Sequence, residues 1–187
     1  MSGASSDKEL IARIASRDQT AMSALYARHH VRLYRFLVRL MRNEAMAEEL
    51  MNEVFMECWR KADSFEGRSA VSTWLMTIAH NRGVSVLRKR SDAPLDENYA
   101  AQIADEEDSP EVVSQKRNKA EIMRECMNNL SADHREIIDL VYYHDKSVAE
   151  VAEITNIPVN TVKTRMFYAR KKLAELMREA GLDRGWP

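Results

Sequence analysis

The chain has 187 residues, enough for one ordinary domain or two small ones, and carries a net charge of −1. Five glycines, four prolines and 11 methionines lean helical, and no run of about 18 apolar residues offers a membrane span. The start, Met1 to Lys8, lacks a charged-then-apolar leader and the two cysteines, Cys58 and Cys126, stand far apart, so a disulfide framework and secretion are not expected; a reducing cytoplasm is.

A first block runs from Asp7 to Arg90. Leu10, Ile11 and Ile14 recur at helical spacing, as do Met22, Leu25, Tyr26, His29, Leu33, Phe36, Leu37, Leu40 and Met41. Asn43 offers a cap to a third helix with the stripe Ala47, Leu50, Met51, Val54, Phe55 and Cys58. That stripe leaves Glu48, Glu49, Asn52 and Glu53 on the other side. Asp63 to Ser69 reads as a loop. A further helix starting near Ser72 or Thr73 carries Trp74, Leu75, Ile78, Ala79 and Val86 inward, with Trp59 and Trp74 as expected core anchors. Strand-like alternation is absent from the block.

Ser91 to Pro110 reads as an acidic linker. Ser91 to Gln115 holds eight acids and no base, whereas Arg68 to Arg90 holds five bases and no acid. Sparse apolar residues there cannot offset the entropy of ordering.

A second block, residues 111–178, is built of shorter helices. One spans Val112 to Leu130. Ser131 caps the next, whose expected buried stripe is Ile137, Ile138, Val141 and Tyr142. Ser147-Val148-Ala149-Glu150 is a capping box, behind which Val148, Val151, Ala152 and Ile154 turn inward. Asn156-Ile157-Pro158 closes that helix and opens another.

Two short helices joined by a tight turn, the second one basic, describe a helix-turn-helix. At 100° per residue, Val162, Met166, Ala169, Leu173 and Leu176 share one side. Asn160, Thr164, Phe167, Tyr168 and Lys171 fall on the opposite side, flanked by Lys163, Arg165, Arg170 and Lys172. Small polar and aromatic residues rimmed by cations suit a DNA major groove, because the rim neutralises phosphates while the centre touches base edges. A merely basic surface helix is the plainer alternative.

At these residues a resemblance enters. Ser147 to Ala152 followed by Ile157 to Arg165 resembles the promoter-reading region of the extracytoplasmic-function (ECF) sigma factors. Ala47 to Trp59 is similar to that family's core-polymerase-binding helix. Ser72-Thr73-Trp74-Leu75 with Ile78, Ala79 and Asn81 is similar to its helix for the downstream promoter element.

The resemblance implies an all-α chain of two small helical domains joined by the acidic linker, the C-terminal one a helix-turn-helix. It implies RNA polymerase core and promoter DNA as partners and an anti-sigma protein as inhibitor. Core would be gripped through Glu48, Glu49, Asn52 and Glu53. The −10 element would be captured by the loop Phe65 to Ala70, with Phe65, Arg68 and Ser69, and by His80, Asn81, Ser85 and Arg88 on the helix beside it. The −35 duplex would be read by Asn160, Thr161, Lys163, Thr164, Arg165, Phe167, Tyr168 and Lys171. Met41, Met46, Met51, Met56 and Met76 are candidates for an apolar surface suiting the anti-sigma partner, with core filler as an equally good alternative. The sequence departs from the family pattern at Asn160, where glycine is common, and at Tyr168, where arginine is common; Glu49 and Asn52 replace Asp and Gln.

The five histidines lack metal-ligand spacing, and no phosphate-cradling glycine loop or nucleophile–base set can be assembled, so no cofactor, metal, small-molecule substrate or enzymatic activity is expected. Competing readings are an ordinary helix-turn-helix repressor or activator and a small metal-dependent enzyme. Trp186, near the end, has no assigned partner.

Overall fold

The computed structural model describes residues 5–91 and 110–181, and every regular element among them is helical. Most of the expected linker and Trp186 lie outside the described residues. The chain divides into two compact units.

The N-terminal unit opens with α1 (Asp7–Ala15), whose capping box pairs the Ser6 hydroxyl with the Glu9 amide and the Glu9 carboxylate with the Ser6 amide. The chain then turns through Arg17 in the left-handed region and enters α2 (Gln19–Met41). Asp18 caps α2 by accepting from the Thr20 and Ala21 amides and also takes Arg13 at 2.7 Å. The Ala21 amide, followed by Arg13, holds the Asp18 carboxyl below its usual range. Arg42, at φ 54°, ends α2, and Asn43 caps α3 (Glu44–Lys61) through the Met46 amide at 2.9 Å. A short 3-10 turn, Ala62–Ser64, leads to a loop and then α4 (Val71–Ser91), which starts one residue earlier than its sequence pattern indicates.

The core of this unit is the set the periodicity picked out, with small shifts. Leu10, Ile11, Ile14, Leu25, Leu33, Phe36, Leu37, Ala47, Leu50, Val54, Cys58 and Leu75 are buried. Ala21 and Val38 join them, whereas Met22 and Leu40 are half-buried and Tyr26 is exposed, its ring stacked on His30 and tilted against Phe55. Trp59 and Trp74 are half-buried rather than central. Arg17 accounts for one face of Trp59: its guanidinium lies 5.6 Å from the ring centroid and donates to the Trp59 carbonyl at 2.8 Å. Gly83 lets α4 approach α2, since a Cβ there would sit 2.5 Å from Cδ2 of Leu40. Burial pushes the Cys58 thiol up to about 12, as befits an inert core residue.

Burial decides between the two readings of the methionines, mostly for core filler. Met41, Met51 and Met76 are buried and Met46 is half-buried, so of the five candidates for a partner surface only Met56 is exposed. Helical phase explains this: three of the five fall on the stripes that face the other helices.

The remaining helices are α5 (Pro110–Asn128), α6 (Ala132–Ile138), α7 (Val148–Thr155) and α8 (Val159–Glu179); they form the C-terminal unit except for residues 152–156 at the end of α7, which group with the first. Ser131 caps α6 through the His134 amide, and Ser147 and Glu150 close the expected capping box at 3.3 and 2.9 Å. Asn156 ends α7 in the left-handed region, at φ 53°. The buried stripe of α6 departs from expectation. Ile137, Ile138 and Leu140 are buried, with Val141 and Tyr142 only half-buried. The cause is a π-helical turn over Asp139–Tyr143, which adds a residue to the turn and rotates everything after it. The same turn buries Asp139 beside His144, Oδ2 to Nε2 3.3 Å.

Candidate nucleic-acid interface

Helix α8 packs on α5 and α6 through Val162, Met166, Ala169, Leu173 and Met177, all buried. Leu176 is half-buried, with Met177 taking its place in the stripe. The opposite side stays in solvent: Asn160, Lys163, Thr164, Phe167, Tyr168 and Lys171 are exposed, and Thr161 is half-buried. Phe167 and Tyr168 are 65% and 55% exposed and meet edge-on, centroids 5.4 Å apart. Both rings are thus left largely in water on a folded helix. The Thr164 hydroxyl donates to the Asn160 carbonyl at 3.0 Å, which leaves its lone pairs outward.

Two of the flanking cations are held in a way the sequence pattern did not reveal. Arg165 is paired with Asp133 of α6 at 2.8 Å, and the Arg170 guanidinium lies 5.5 Å from the Tyr142 ring centroid. Lys172 faces Glu175 at 3.8 Å. Partners roughly 30 residues away in sequence hold the arginine side chains, and no spacing rule finds them.

In the N-terminal unit α4 places Asn81, Ser85 and Arg88 at i, i+4 and i+7, all exposed on one side. His80 does not join them. It is 8% exposed, because a neighbour one residue away on a helix points about 100° off, here into the bundle. In the loop before α4, Arg68 is exposed beside Glu66, Ser69 is half-buried, and Phe65 packs against Trp74 with centroids 5.1 Å apart. Gly67, at φ 70°, supplies the left-handed residue that turns the loop.

On α3, Glu48, Glu49, Asn52 and Glu53 are all exposed, and Met56, 57% exposed, extends the same side. Beneath it Glu57 is nearly buried: Lys61 donates to one carboxylate oxygen at 2.6 Å and Arg82 of α4 to the other at 2.7 Å. Burial alone raises this carboxyl, but the hydrogen bonds from Lys61 and Arg82 outweigh it and hold the group below its usual range. Arg82 also reaches Glu53 at 3.5 Å, so one guanidinium ties α4 to the acidic face. Burial, then the charges of Glu44 and Glu48, push the Tyr34 phenol up.

Comparison with known proteins now decides the family. The Sigma-70 region 2 model matches residues 25–92, and the Sigma-70 region 4 model matches residues 120–173. An ECF RNA polymerase sigma factor SigK of Mycobacterium sp. (strain KMS) is 31% identical over 84% of this chain and 83% of its own length. The chain belongs to the ECF RNA polymerase sigma factors. The SigK of Mycobacterium tuberculosis (strain ATCC 25177 / H37Ra) is 30% identical over 88% of this chain and 89% of its own length. Among solved structures, the sigma factor RpoE of Bartonella quintana, in complex with the anti-sigma factor NepR, is 32% identical. It covers 81% of this chain and 91% of its own with a TM-score of 0.64. CnrH, solved with the cytosolic domain of CnrY, shares the fold at 23% identity and a TM-score of 0.70, over 94% of this chain and 99% of its own. As an ECF sigma factor the chain acts in promoter-specific transcription initiation, binding RNA polymerase and promoter DNA. No helix among the described residues is long and apolar enough to cross a membrane.

Proposed function

We propose a division of this sigma factor's work among three surfaces. Residues 7–90 dock on polymerase core through Glu48, Glu49, Asn52 and Glu53 of α3. The same unit captures the −10 element through Phe65, Arg68, Ser69, Asn81, Ser85 and Arg88. Residues 111–178 read the −35 duplex through Asn160, Thr161, Lys163, Thr164, Arg165, Phe167, Tyr168 and Lys171, with 91–110 as the acidic tether. His80, being buried, is left out of the −10 set.

The observation that carries this reading is the two-sidedness of α8. Five apolar residues are buried on one side, while aromatic, amide and lysine side chains stand in water on the other. A helix of that kind enters a major groove with its cations on phosphates and its centre on base edges. Tyr168 offers a ring and one hydroxyl, and it lacks the planar fork with which arginine grips guanine. An anti-sigma inhibitor is part of the proposal, supported by the 32%-identical relative solved with one. A cytoplasmic location follows from the same role.

The test is transcription by purified polymerase core, with and without this chain, on a promoter library. Initiation that depends on the chain, from start sites sharing two upstream elements, supports the reading. Failure to associate with core or to direct initiation overturns it.

A further inference from the structure

The exposed side of α8 bears on which bases it can select. With Val162 as the middle of the buried side, Asn160, Thr164, Phe167 and Lys171 lie about 140–200° round the helix from it, and Tyr168 adjoins them at about 240°. All five are exposed. The arginines are elsewhere. Arg165 and Arg170 stand only about 60° and 80° from Val162, one paired with Asp133 at 2.8 Å and the other beside the Tyr142 ring. Arg178 shares the exposed sector, but it lies about 16 Å past Phe167 along the axis, and recognition helices touch bases with their N-terminal residues.

A guanine is gripped by a planar donor fork on its O6 and N7. No such fork stands in the centre of this surface. Its lysines, Lys163 and Lys171, are point charges that suit phosphates of any sequence, and no acid occurs on α8 before Glu175 to oppose them. Thr164 commits its only hydroxyl hydrogen to the Asn160 carbonyl at 3.0 Å, which removes it as a donor to bases. Two rings remain at the centre. Phe167 and Tyr168 meet edge-on, 5.4 Å between centroids, so each limits the other's rotation. In the major groove the base edges offer one apolar group, the C5-methyl of thymine. A polar base edge pressed on the Phe167 ring would lose its water without gaining a hydrogen bond.

We propose that Phe167 and Tyr168 read thymine methyl groups, so that A·T pairs beneath the two rings specify the −35 element of this chain in place of a forked guanine contact. The inference rests on α8 as the −35 reader and adds which base it selects. Asn160 fits the same pairs, because its amide matches the N7 acceptor and N6 donor of adenine.

The test uses the full chain bound to polymerase core, which first selects duplexes from a pool randomised over the upstream element. In the selected duplex each thymine is then replaced by deoxyuridine, which removes the methyl and keeps every hydrogen-bonding group. Each guanine is separately replaced by 7-deazaguanine, which removes N7. Binding is measured for the parent, for Phe167→Ala/Tyr168→Ala and for Lys163→Ala/Lys171→Ala. Deoxyuridine at one or two positions should weaken the parent about four-fold each, the loss for one methyl left out of contact. The ring pair should bind thymine and deoxyuridine duplexes equally. The lysine pair should bind both more weakly and keep the parent's ratio between them. Melting temperatures report any variant that fails to fold, and the parent's own two substitution series need no variant.

Deoxyuridine without effect at every thymine, or a selected element without thymine, overturns the inference. If the ring pair still weakens binding in that case, α8 stands as the reader without a thymine preference. A deoxyuridine effect that survives in the ring pair also overturns it, since other residues then touch the methyl. So does a 7-deazaguanine effect that the ring pair abolishes. If neither pair changes binding, α8 does not touch the element and both readings fall.

Discussion

Glu57 joins the two helices that the proposed function uses most, and its removal is a measurable perturbation. Its carboxylate is 12% exposed and holds Lys61 at 2.6 Å and Arg82 at 2.6 Å. A hydrogen bond to a charged group contributes about 1.5–3 kcal/mol when well buried. Both cations here keep much of their solvent, at 61% and 40% exposure, so screening cuts the total to about 1–2 kcal/mol. For a unit of this size each kcal/mol moves the melting temperature by about 4–8 °C. Glu57→Gln should therefore melt about 4–16 °C below the parent at pH 7 by calorimetry. The pH dependence has a definite sign. The folded carboxyl lies below its reference of 4.5, so its contribution is complete above that value and is lost as pH falls through the folded value. The gap between parent and variant should close below about pH 4.5. A gap that stays the same width in acid would show that shape, not charge, is what Glu57 supplies.

Further predictions follow from the burial pattern. Leu173→Ala removes a fully buried side chain from α8 and should cost about 2–5 kcal/mol in denaturant unfolding, whereas Phe167→Ala should leave stability within about 0.5 kcal/mol and still weaken promoter binding. Equal stability losses from the two would mean that Phe167 is packed. Asp133→Ala frees Arg165 from α6; duplex affinity should fall by several-fold without a change in salt slope, measured by anisotropy, and a rise in affinity would make Asp133 a competitor of DNA instead. Cys58, with its thiol pushed up to about 12, should resist iodoacetamide in the native protein at pH 8 and react after unfolding in urea, as followed by mass. Fast native labelling would contradict its burial.

Much of this molecule can be read from local patterns because helices announce their own periodicity and their own ends. Asn43, Ser131 and the Ser147–Glu150 box cap the helices they were expected to cap, and each needs only neighbours within four residues. The two sides of α8 are equally local, set by the 3.6-residue turn. Where the reading strayed, the cause lies beyond that range or breaks the period. The π-helical turn at Asp139–Tyr143 shifts the buried stripe from Val141 to Leu140, and no residue type in that stretch demands the extra residue. His80 stands next to Asn81 in sequence, but neighbours on a helix point about 100° apart, and here His80 turns into the bundle.

The arginines make the limit of sequence reading clearest. Arg165 and Arg170 look alike on a helical wheel, yet one answers to Asp133 and the other to the Tyr142 ring. The basic charge of α8 was visible, but which of its cations are already engaged is a tertiary fact. Lys163 and Lys171 are thus the residues whose loss should change the salt dependence of duplex binding most, since neither has to give up an ion pair with its own protein that the structure records. On α2 the situation is reversed. The arginines at 28, 32, 35, 39 and 42 are plain in the one-dimensional pattern, beside an equally plain apolar stripe on the same helix. An amphipathic helix has two sides, and once the buried one has explained the fold, the composition of the other remains as independent information about partners.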